Sequence, residues 1–219
     1  MLHLVIAETE LESVPGQLYS NPEIVRYCRS KGKKPAECIL DINQTPNAVI
    51  SLPQGAVRGR PEILHICLLN ALESDLYKNE EMQIWVHTRQ EKVIRIDHRF
   101  RVPRMYSRFI GLMEELFSAG QVPPDGPASL VIEEKRLGEL IDSIKPSKII
   151  ILSKDGKKIK KSDLISQISK SKNPVVIVGG FTDRNFSETT KRLTKNIYSI
   201  SENQLMSWSV IGAVVYALG

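Results

Sequence analysis

The sequence lacks the short motifs that mark several common enzyme classes. No GxGxxG pattern follows a strand-like segment, which removes the usual support for a Rossmann-type dinucleotide site. The patterns GxxxxGK[ST], HExxH and GxSxG are missing as well. ATPase, metalloprotease and α/β-hydrolase chemistry therefore lose most of their support.

Cysteine is scarce, and long apolar runs are absent. Three widely spaced cysteines (Cys28, Cys38 and Cys67) without a CxxC pair fit neither a disulfide framework nor a zinc site, so we expect no metal. We expect no signal peptide, because the N-terminus has no basic segment leading into an apolar one. We also expect no membrane span. These absences predict a protein of the reducing cytoplasm.

The composition is otherwise that of an ordinary globular protein. Of its 219 residues, 42% are hydrophobic and 25% are charged, which argues against a disordered or fibrous chain. A chain of this length buries roughly 70% of its unfolded surface, so it needs no disulfides to fold. We expect one domain, spanning residues 1–219.

The net charge of +5 is concentrated in one segment. Residues 89–108 contain seven basic and two acidic side chains, and seven minus two equals the whole excess. A local basic patch predicts an anionic partner, with nucleic acid the first candidate, although an arginine-rich solvated hairpin has the same composition. A second basic stretch, Lys154–Lys161, holds five lysines and one acid. We expect it to be an exposed turn.

Strand-like segments alternate with amphipathic ones, which predicts an α/β fold: a parallel sheet with helices on both faces. The predicted strands are Leu2–Ala7, Glu37–Ile42, Gln83–His87, Val93–Asp97, Lys148–Leu152, Val175–Val178 and Asn196–Ile200. One helix is predicted to begin at Pro61, and the others cover Met105–Ala119, Gly138–Ile144, Asp163–Ile168 and Leu205–Leu218. We expect an irregular loop over residues 43–60 and a hinge over residues 121–128.

Arginines mark two candidate RNA-binding segments. Arg58 and Arg60 precede the helix predicted at Pro61, where free backbone N–H groups favour a phosphate. Around the start of a later helix, guanidinium groups alternate with aromatic rings, a combination that reads RNA loops. Its residues are Arg101, Arg104, Tyr106 and Arg108.

A glycine pair marks a candidate ligand site. Gly179, Gly180 and Phe181 follow the most apolar predicted strand, and ligand crevices in open α/β sheets lie at the carboxyl ends of the strands. Two glycines there allow a ligand to approach the backbone closely. A plain tight turn would also account for the pair.

Five blocks of sequence then carry a family resemblance. They are RGRPEILHICLLNALES at 58–74, Val-His-Thr at 86–88, RVPRMYSRFIGLMEELF at 101–117, VIVGGF at 176–181, and Ile200-Ser201 with Leu205 and Trp208. In this order they resemble the small-subunit ribosomal RNA methyltransferases that modify N1 of pseudouridine. These enzymes are members of the SPOUT class, and this chain looks like their archaeal branch. The resemblance covers about Leu2 to Leu218.

The resemblance implies a fold, a cofactor and a partner. It implies a C-terminal trefoil knot over about residues 146–219, a β-rich insertion at about 78–100, and a homodimer. The cofactor would be S-adenosyl-L-methionine and the partner small-subunit ribosomal RNA. Cofactor contacts would come from Leu152, Ser153, Gly179, Gly180, Phe181, Ile200, Ser201 and Leu205. Arg60, Arg101, Arg104 and Arg108 match family arginines implicated in RNA binding.

One departure from the family concerns catalysis. Archaeal relatives tend to carry an Asp…His-His sequence where this chain reads Asp41-Ile42-Asn43-Gln44-Thr45-Pro46, so no imidazole base stands there. Asp41 is then the candidate base and Arg60 the candidate anion-stabilising group. An aspartate at a strand end is also a common turn residue.

We therefore predict N1-methylation of a pseudouridine in small-subunit ribosomal RNA during ribosome biogenesis. The alternative is an RNA-binding ribosome assembly factor on a methyltransferase scaffold, with weak or no catalysis. A transfer RNA methyltransferase is a third interpretation, weaker because the two long arginine-containing blocks resemble the ribosomal family specifically.

Overall fold

Strands and helices alternate along the whole chain, and the structure, a computed structural model, describes residues 1–219. The strands are β1 (Leu2–Thr9), β2 (Met82–Thr88), β3 (Lys92–Ile96), β4 (Gln121–Val122), β5 (Leu130–Glu134), β6 (Lys148–Lys158), β7 (Pro174–Gly179) and β8 (Ile197–Ser199). The helices are α1 (Pro22–Ser30), α2 (Pro46–Ile50), α3 (Pro61–Leu72), α4 (Asp75–Lys78), α5 (Tyr106–Ala119), α6 (Leu137–Ile144), α7 (Lys161–Ser169), α8 (Glu188–Lys191) and α9 (Ser207–Leu218).

All eight strands form one sheet in the order β4-β5-β3-β2-β1-β7-β6-β8. The five strands from β2 to β8 in this order are parallel. The three at the other end pair antiparallel. The predicted α/β class is confirmed, with an antiparallel edge that the sequence did not indicate. Strands β2 and β3, from the segment 78–100, lie inside this sheet, between β1 and β5.

Helices cover both faces of the sheet, as predicted. Along β1, Leu4 and Ile6 belong to a core cluster of 34 buried residues, while Val5 and Ala7 belong to one of 10. Side chains alternate along a strand, so the two clusters lie on opposite faces. Helices α3, α5, α7 and α9 pack on the larger cluster, and α6 packs on the smaller. Most of the core therefore lies on one side.

A third, smaller cluster holds α1 and α2 beyond the end of β1. Helix α1 begins with Pro22 after the cap residue Asn21, whose side chain accepts hydrogen bonds from the first turn. This helix was not predicted from the sequence. Residues 43–60, predicted as an irregular loop, contain α2 and a 3₁₀ turn at Gly55–Val57.

One predicted strand is absent, and two segments predicted as a hinge and a turn contain strand residues. Residues Glu37–Ile42 form no strand, because only an isolated bridge joins Ser13 to Ile39 and a 3₁₀ turn begins at Pro35. The segment 121–128 opens with β4, and β5 was not predicted. The stretch Lys154–Lys161 is not a turn, since β6 continues to Lys158.

The last helix begins at Ser207, two residues later than predicted, so Leu205 lies outside it. No helix in the structure combines the length and the hydropathy needed to cross a membrane. Helix α9 packs mainly against α3 and also contacts α4 and α7. The residues between β8 and α9 form no helix or strand, and several of them line the cavity described below.

Candidate active site

A cavity of about 700 Å³, counting the solvent at its mouth, opens beside the middle of β6, at residues 152–154, and at the carboxyl ends of β7 and β8. Seven of the eight residues that the resemblance assigns to the cofactor line this cavity, and Gly180 is the exception. Because these residues come from three separate segments, only the folded sheet brings them together.

The glycine pair is required by close packing of the protein itself. A Cβ atom on Gly179 would come within 2.6 Å of the Phe181 ring, and one on Gly180 would come within 2.2 Å of the Thr9 side chain. Gly180 also donates a backbone hydrogen bond to Ala7 at 2.8 Å, which holds the end of β7 against β1. Gly179 therefore shapes the cavity wall, and Gly180 fixes the strand end behind it.

The lining of the cavity fits a nucleoside joined to a charged amino acid. Leu152, Val178 and Val210 offer apolar surface, as a purine ring requires. Asn203 and Gln204 add polar groups at another part of the wall. S-adenosyl-L-methionine combines these two chemistries in one molecule. The residues present therefore fit the cofactor that the resemblance implies.

The arginines predicted to bind RNA lie outside this cavity. Arg101, Arg104 and Arg108 are exposed around the N-terminal end of α5, and none of them lines the cavity. Arg101 donates to the backbone carbonyls of His98 and Phe100. Arg104 and Arg108 carry no salt bridge to an acidic side chain, since the ion pairs of this segment involve other residues. Their guanidinium groups remain available to an anion.

Tyr106 is held by Asp41. The Tyr106 hydroxyl donates to Oδ2 of Asp41 at 2.7 Å, and the backbone N–H of Asn43 donates to Oδ1 at 2.9 Å. Burial, followed by the charge of Asp41, raises the pKa of Tyr106, so the phenol stays protonated and donates. Asp41 itself is buried, with both carboxylate oxygens engaged. Neither side chain lines the cavity.

The two arginines before α3 are both paired. Arg58 makes a two-pronged contact with the buried carboxylate of Glu12, at 2.9 Å from Nε and 2.6 Å from Nη2. Arg60 pairs through Nε with Glu62, two residues on in the first turn of α3. The second carboxylate oxygen of Glu62 is buried and has no hydrogen-bond partner. Arg58 therefore faces the protein, while Arg60 keeps its other donors free.

His65 is a buried residue of α3 that packs inside the protein. Its ring stacks on Phe109 at a centroid distance of 4.6 Å, and its Nε2 lies 2.7 Å from the carbonyl oxygen of Pro103. These contacts fix the segment that carries the arginines against α3. No group of three or more His, Cys, Asp or Glu side chains is placed to hold a metal ion.

Comparison with known proteins identifies the family. The family model described as EMG1/NEP1 methyltransferase matches residues 4–219. The chain belongs to the EMG1/NEP1 methyltransferase family. It is similar to a protein of Thermococcus kodakarensis named "Ribosomal RNA small subunit methyltransferase Nep1", with 43% identity covering 98% of this chain and 96% of that protein. The protein of the same name in Methanothrix thermoacetophila is 35% identical over 98% of this chain and 94% of its own length.

A solved structure extends the likeness to the fold. Nep1 of Archaeoglobus fulgidus, crystallised with S-adenosylhomocysteine, matches with a TM-score of 0.87 and 27% identity. The match covers 99% of this chain and 96% of that one. The architecture of the EMG1/NEP1 family is therefore present along the whole chain.

This member of the EMG1/NEP1 family also has a site residue that sequence reasoning missed. Arg184 lines the cavity, and its guanidinium carbon lies 3.8 Å from the centre of the Phe181 ring. Its Nη1 donates to Glu8 at 2.6 Å and its Nε to Glu10 at 2.9 Å. With Gly179 packed against the ring, the arginine fixes the position of Phe181.

Glu8 can reach Arg184 because β1 is distorted at its end. The backbone of Glu8 has a φ of 52°, and the register with β2 shifts between Ile6 and Thr9. A non-glycine residue in this left-handed region is strained and persists only where its surroundings hold it. Here Ser187 and Thr190 also donate to the Glu8 carboxylate, each through its hydroxyl at 2.7 Å. Periodicity alone gives no signal of such a distortion.

Proposed function

We propose that this protein transfers a methyl group from S-adenosyl-L-methionine to N1 of a pseudouridine in small-subunit ribosomal RNA. The observation that carries the proposal is the cavity beside β6 and the carboxyl ends of β7 and β8, lined by residues that the resemblance assigns to the cofactor. Membership of the EMG1/NEP1 methyltransferase family and relatives named as small-subunit ribosomal RNA methyltransferases support it. The exposed arginines around the start of α5 suit the RNA partner.

The chemistry requires a deprotonated acceptor nitrogen. Pseudouridine carries an N1–H that uridine lacks, since N1 of uridine is bonded to the sugar. The bound cofactor supplies an electrophilic methyl group on a sulfonium. As the N1–CH₃ bond forms, the S–CH₃ bond breaks, its electron pair stays on sulfur, and the N1 proton passes to a base. The protein positions the flipped base in line, excludes water and stabilises the developing anion.

For the base we propose Asp41, with Arg60 stabilising the anion. Asp41 does not line the cavity and accepts a hydrogen bond from Tyr106 in the arginine segment, so this role requires that bond to be exchanged for one from N1. Asp41→Asn keeps the size of the side chain and its bond from Asn43 but removes the basic oxygen. We expect kcat to fall about 10²- to 10⁴-fold with unchanged cofactor affinity. Retained activity would rule out Asp41 as the base. Glu62 would then be the next candidate for the base, because its Oε2 has no hydrogen-bond partner.

The test of the function is methyl transfer from labelled cofactor to matched RNA hairpins. One hairpin carries pseudouridine at the target position, and the other carries uridine. We expect transfer to the first alone, because only pseudouridine has a free N1–H. Equal transfer to both would assign a different methylation specificity.

A binding role without catalysis is the second candidate, and one observation favours it. Both oxygens of Asp41 are engaged inside the protein, and the histidines of archaeal relatives are absent. Calorimetry with S-adenosyl-L-methionine separates the two roles, because an assembly factor without catalysis has no need of the cofactor. RNA binding without cofactor binding would favour the assembly role.

We also propose the finer architecture that the resemblance implies. The chain would be one domain with an insertion at 78–100, a trefoil knot over 146–219 and a homodimeric, cytoplasmic state. The way Leu152 and Lys157 of β6 both pair with Tyr198 of β8 supports a C-terminal chain that wraps around itself. Sedimentation equilibrium should give twice the mass of one chain. A crystal structure tests the knot: when the two termini of the traced chain are joined, the resulting loop should be a trefoil.

A further inference from the structure

Four lysines form an exposed surface beside the cavity, defined here as the lysine patch: Lys154, Lys157, Lys160 and Lys161. Lys154 is among the residues that line the cavity, and the other three continue from it along the end of β6 into the start of α7. The stretch 154–161 has one acid, Asp155. The lysine patch is therefore a positive surface that begins at the mouth of the cavity.

Salt bridges neutralise part of the basic segment 89–108 but leave the lysine patch unpaired. In the segment 89–108, Arg89, Lys92 and Arg99 are each paired with an acidic side chain. In the stretch 154–161, the only lysine in a salt bridge is Lys158, which contacts Glu202 at 3.5 Å. The four ammonium groups of the lysine patch thus have no acidic partner, and they match in number the free arginines of the other segment.

The lysine patch stands on rigid backbone. Strand β6 curls over β8, so that Leu152 and Lys157 both pair with Tyr198. A Cβ atom on Gly156 would lie within 2.5 Å of the Tyr198 backbone, which shows how closely the curl packs. Lys158 reaches across to β8, and its ammonium group lies 3.3 Å from the hydroxyl of Ser199. The backbone that carries the neighbouring lysines is consequently packed against β8, beside the cavity.

Two lysines of the patch occupy positions that disfavour positive charge. Lys160 is the N-cap of α7 and Lys161 is its first residue. The N-terminus of a helix carries a partial positive charge, so cations there reduce helix stability. Stability therefore does not account for these two lysines. Residues that break a local rule of this kind are expected where function requires them.

We propose that the lysine patch is a second phosphate-binding surface, which holds the backbone of the RNA substrate as it passes the cofactor cavity. The proposal rests on the proposed function and adds to it a second line of contact, separate from the arginines of α5. Lysine ammonium groups suit a phosphate backbone because they bind it as point charges without reading sequence. The occupant is thus the RNA strand that flanks the modified nucleotide.

Two double variants at opposite ends of α7 test the proposal. K160Q/K161Q removes two charges of the lysine patch. K170Q/K172Q removes two exposed lysines at and beyond the C-terminal end of the same helix, where the dipole favours cations. Affinity for an RNA hairpin with single-stranded flanks is measured from 50 to 300 mM KCl. Thermal melting of each variant checks the fold.

We expect K160Q/K161Q to weaken RNA binding and to flatten the slope of log K against log [salt] by about 0.7 for each phosphate that the variant no longer neutralises. Its melting temperature should equal or exceed that of the parent protein. K170Q/K172Q should bind RNA like the parent. Equal slopes in all three proteins would overturn the proposal, as would an equal weakening in the two variants, since that would report net charge alone.

The outcome is separable from that of the proposed function. If the parent binds RNA through the lysine patch but transfers no methyl group, the surface stands and the enzymatic proposal fails. If the parent methylates RNA and K160Q/K161Q binds it unchanged, the function stands and the surface fails. K160Q/K161Q could also bind RNA like the parent and bind an acidic protein more weakly. That result would overturn the proposal too.

Discussion

Single residues hold the cavity through a network of buried charges at the end of β1. Glu8, at the distorted end of β1, and Glu10, just beyond that strand, both accept hydrogen bonds from the same arginine, Arg184, and Arg89 donates to the other oxygen of Glu10 at 2.6 Å. A buried ion pair adds little when intact, but removing one partner leaves an uncompensated charge. The network therefore makes the wall of the cavity sensitive to changes that lie outside it.

Glu8 should make stability depend on pH. Burial raises the pKa of Glu8, but hydrogen bonds from Arg184, Thr190 and Ser187 outweigh it and hold the pKa below its ordinary 4.5. The unfolded chain then binds more protons near and below pH 4.5, so the stability from Glu8 is present above that pH and is lost as pH falls through the folded pKa. Urea unfolding between pH 7 and 3.5 should show this loss.

Glu8→Gln is the variant that isolates the effect. It should be less stable than the parent at pH 7 and should lose less stability as the pH falls. Glu202→Gln, at an exposed carboxylate, serves as the control and should keep the pH profile of the parent. Parallel profiles for Glu8→Gln and the parent would show that the Glu8 pKa is ordinary in the folded state.

At the scale of elements, the site depends on how β6 and β8 meet. Strand β8 has only three residues, too short to be stable through its own ladder, and it lies at the end of the sheet. The curl of β6 pairs with it twice and thereby covers that edge. The adjoining residues Ile200 and Ser201 line the cavity. The geometry of the curl therefore shapes this wall of the cavity.

Gly156→Ala tests this dependence, and Gly111→Ala, at an uncrowded position in α5, is its control. In Gly156→Ala the new Cβ would overlap the Tyr198 backbone, so β6 and β8 must separate. We expect a loss of about 1–3 kcal/mol in unfolding free energy and weaker cofactor binding. In Gly111→Ala, within α5, the new Cβ meets no atom within 4 Å. Higher helix propensity should add roughly 0.5–1 kcal/mol there. Chemical denaturation and calorimetry measure both, and a neutral Gly156→Ala would contradict the packing argument.

At the scale of the whole molecule, the proposed cofactor cavity and the arginines proposed to bind RNA lie on different elements. The cavity lies beside the middle of β6 and at the ends of β7 and β8, whereas Arg104 and Arg108 stand around the start of α5 and do not line it. Separate surfaces allow the two ligands to bind through independent contacts. An RNA that reaches both must extend across the carboxyl edge of the sheet.

Arg104→Ala should separate the two binding events. RNA affinity should fall and its salt slope should flatten by about 0.7 to 0.9, the effect of one phosphate contact. Cofactor affinity should stay at the value of the parent, because Arg104 lies outside the cavity. Titrations with RNA at several salt concentrations and with cofactor alone provide the two measurements. A parallel fall in cofactor affinity would contradict this prediction, because it would show that Arg104 contributes to cofactor binding.

Much of the fold and part of the site could be predicted from sequence, because local patterns carry them. The apolar run of β7, the proline that opens α3 and the periodicity of α5 are each set by neighbouring residues, and all three elements form where expected. Of the glycine pair at the end of β7, Gly179 lines the cavity, whereas Gly180 packs against Thr9, and a ligand contact at either glycine stays a prediction. The strand predicted at Glu37–Ile42 failed because β-like residues there lack a partner strand, and only tertiary pairing makes a strand.

By itself, the sequence determined the α/β class, the family resemblance and the segments that carry charge. The tertiary structure decided which charges remain free. It paired Arg58 with Glu12 and Arg89 with Glu10, and it left the lysine patch without partners beside the cavity. The physical reason is that an ion pair depends on distances between residues far apart in the chain. Net charge sums over all residues, but a phosphate responds only to those that the fold leaves unpaired.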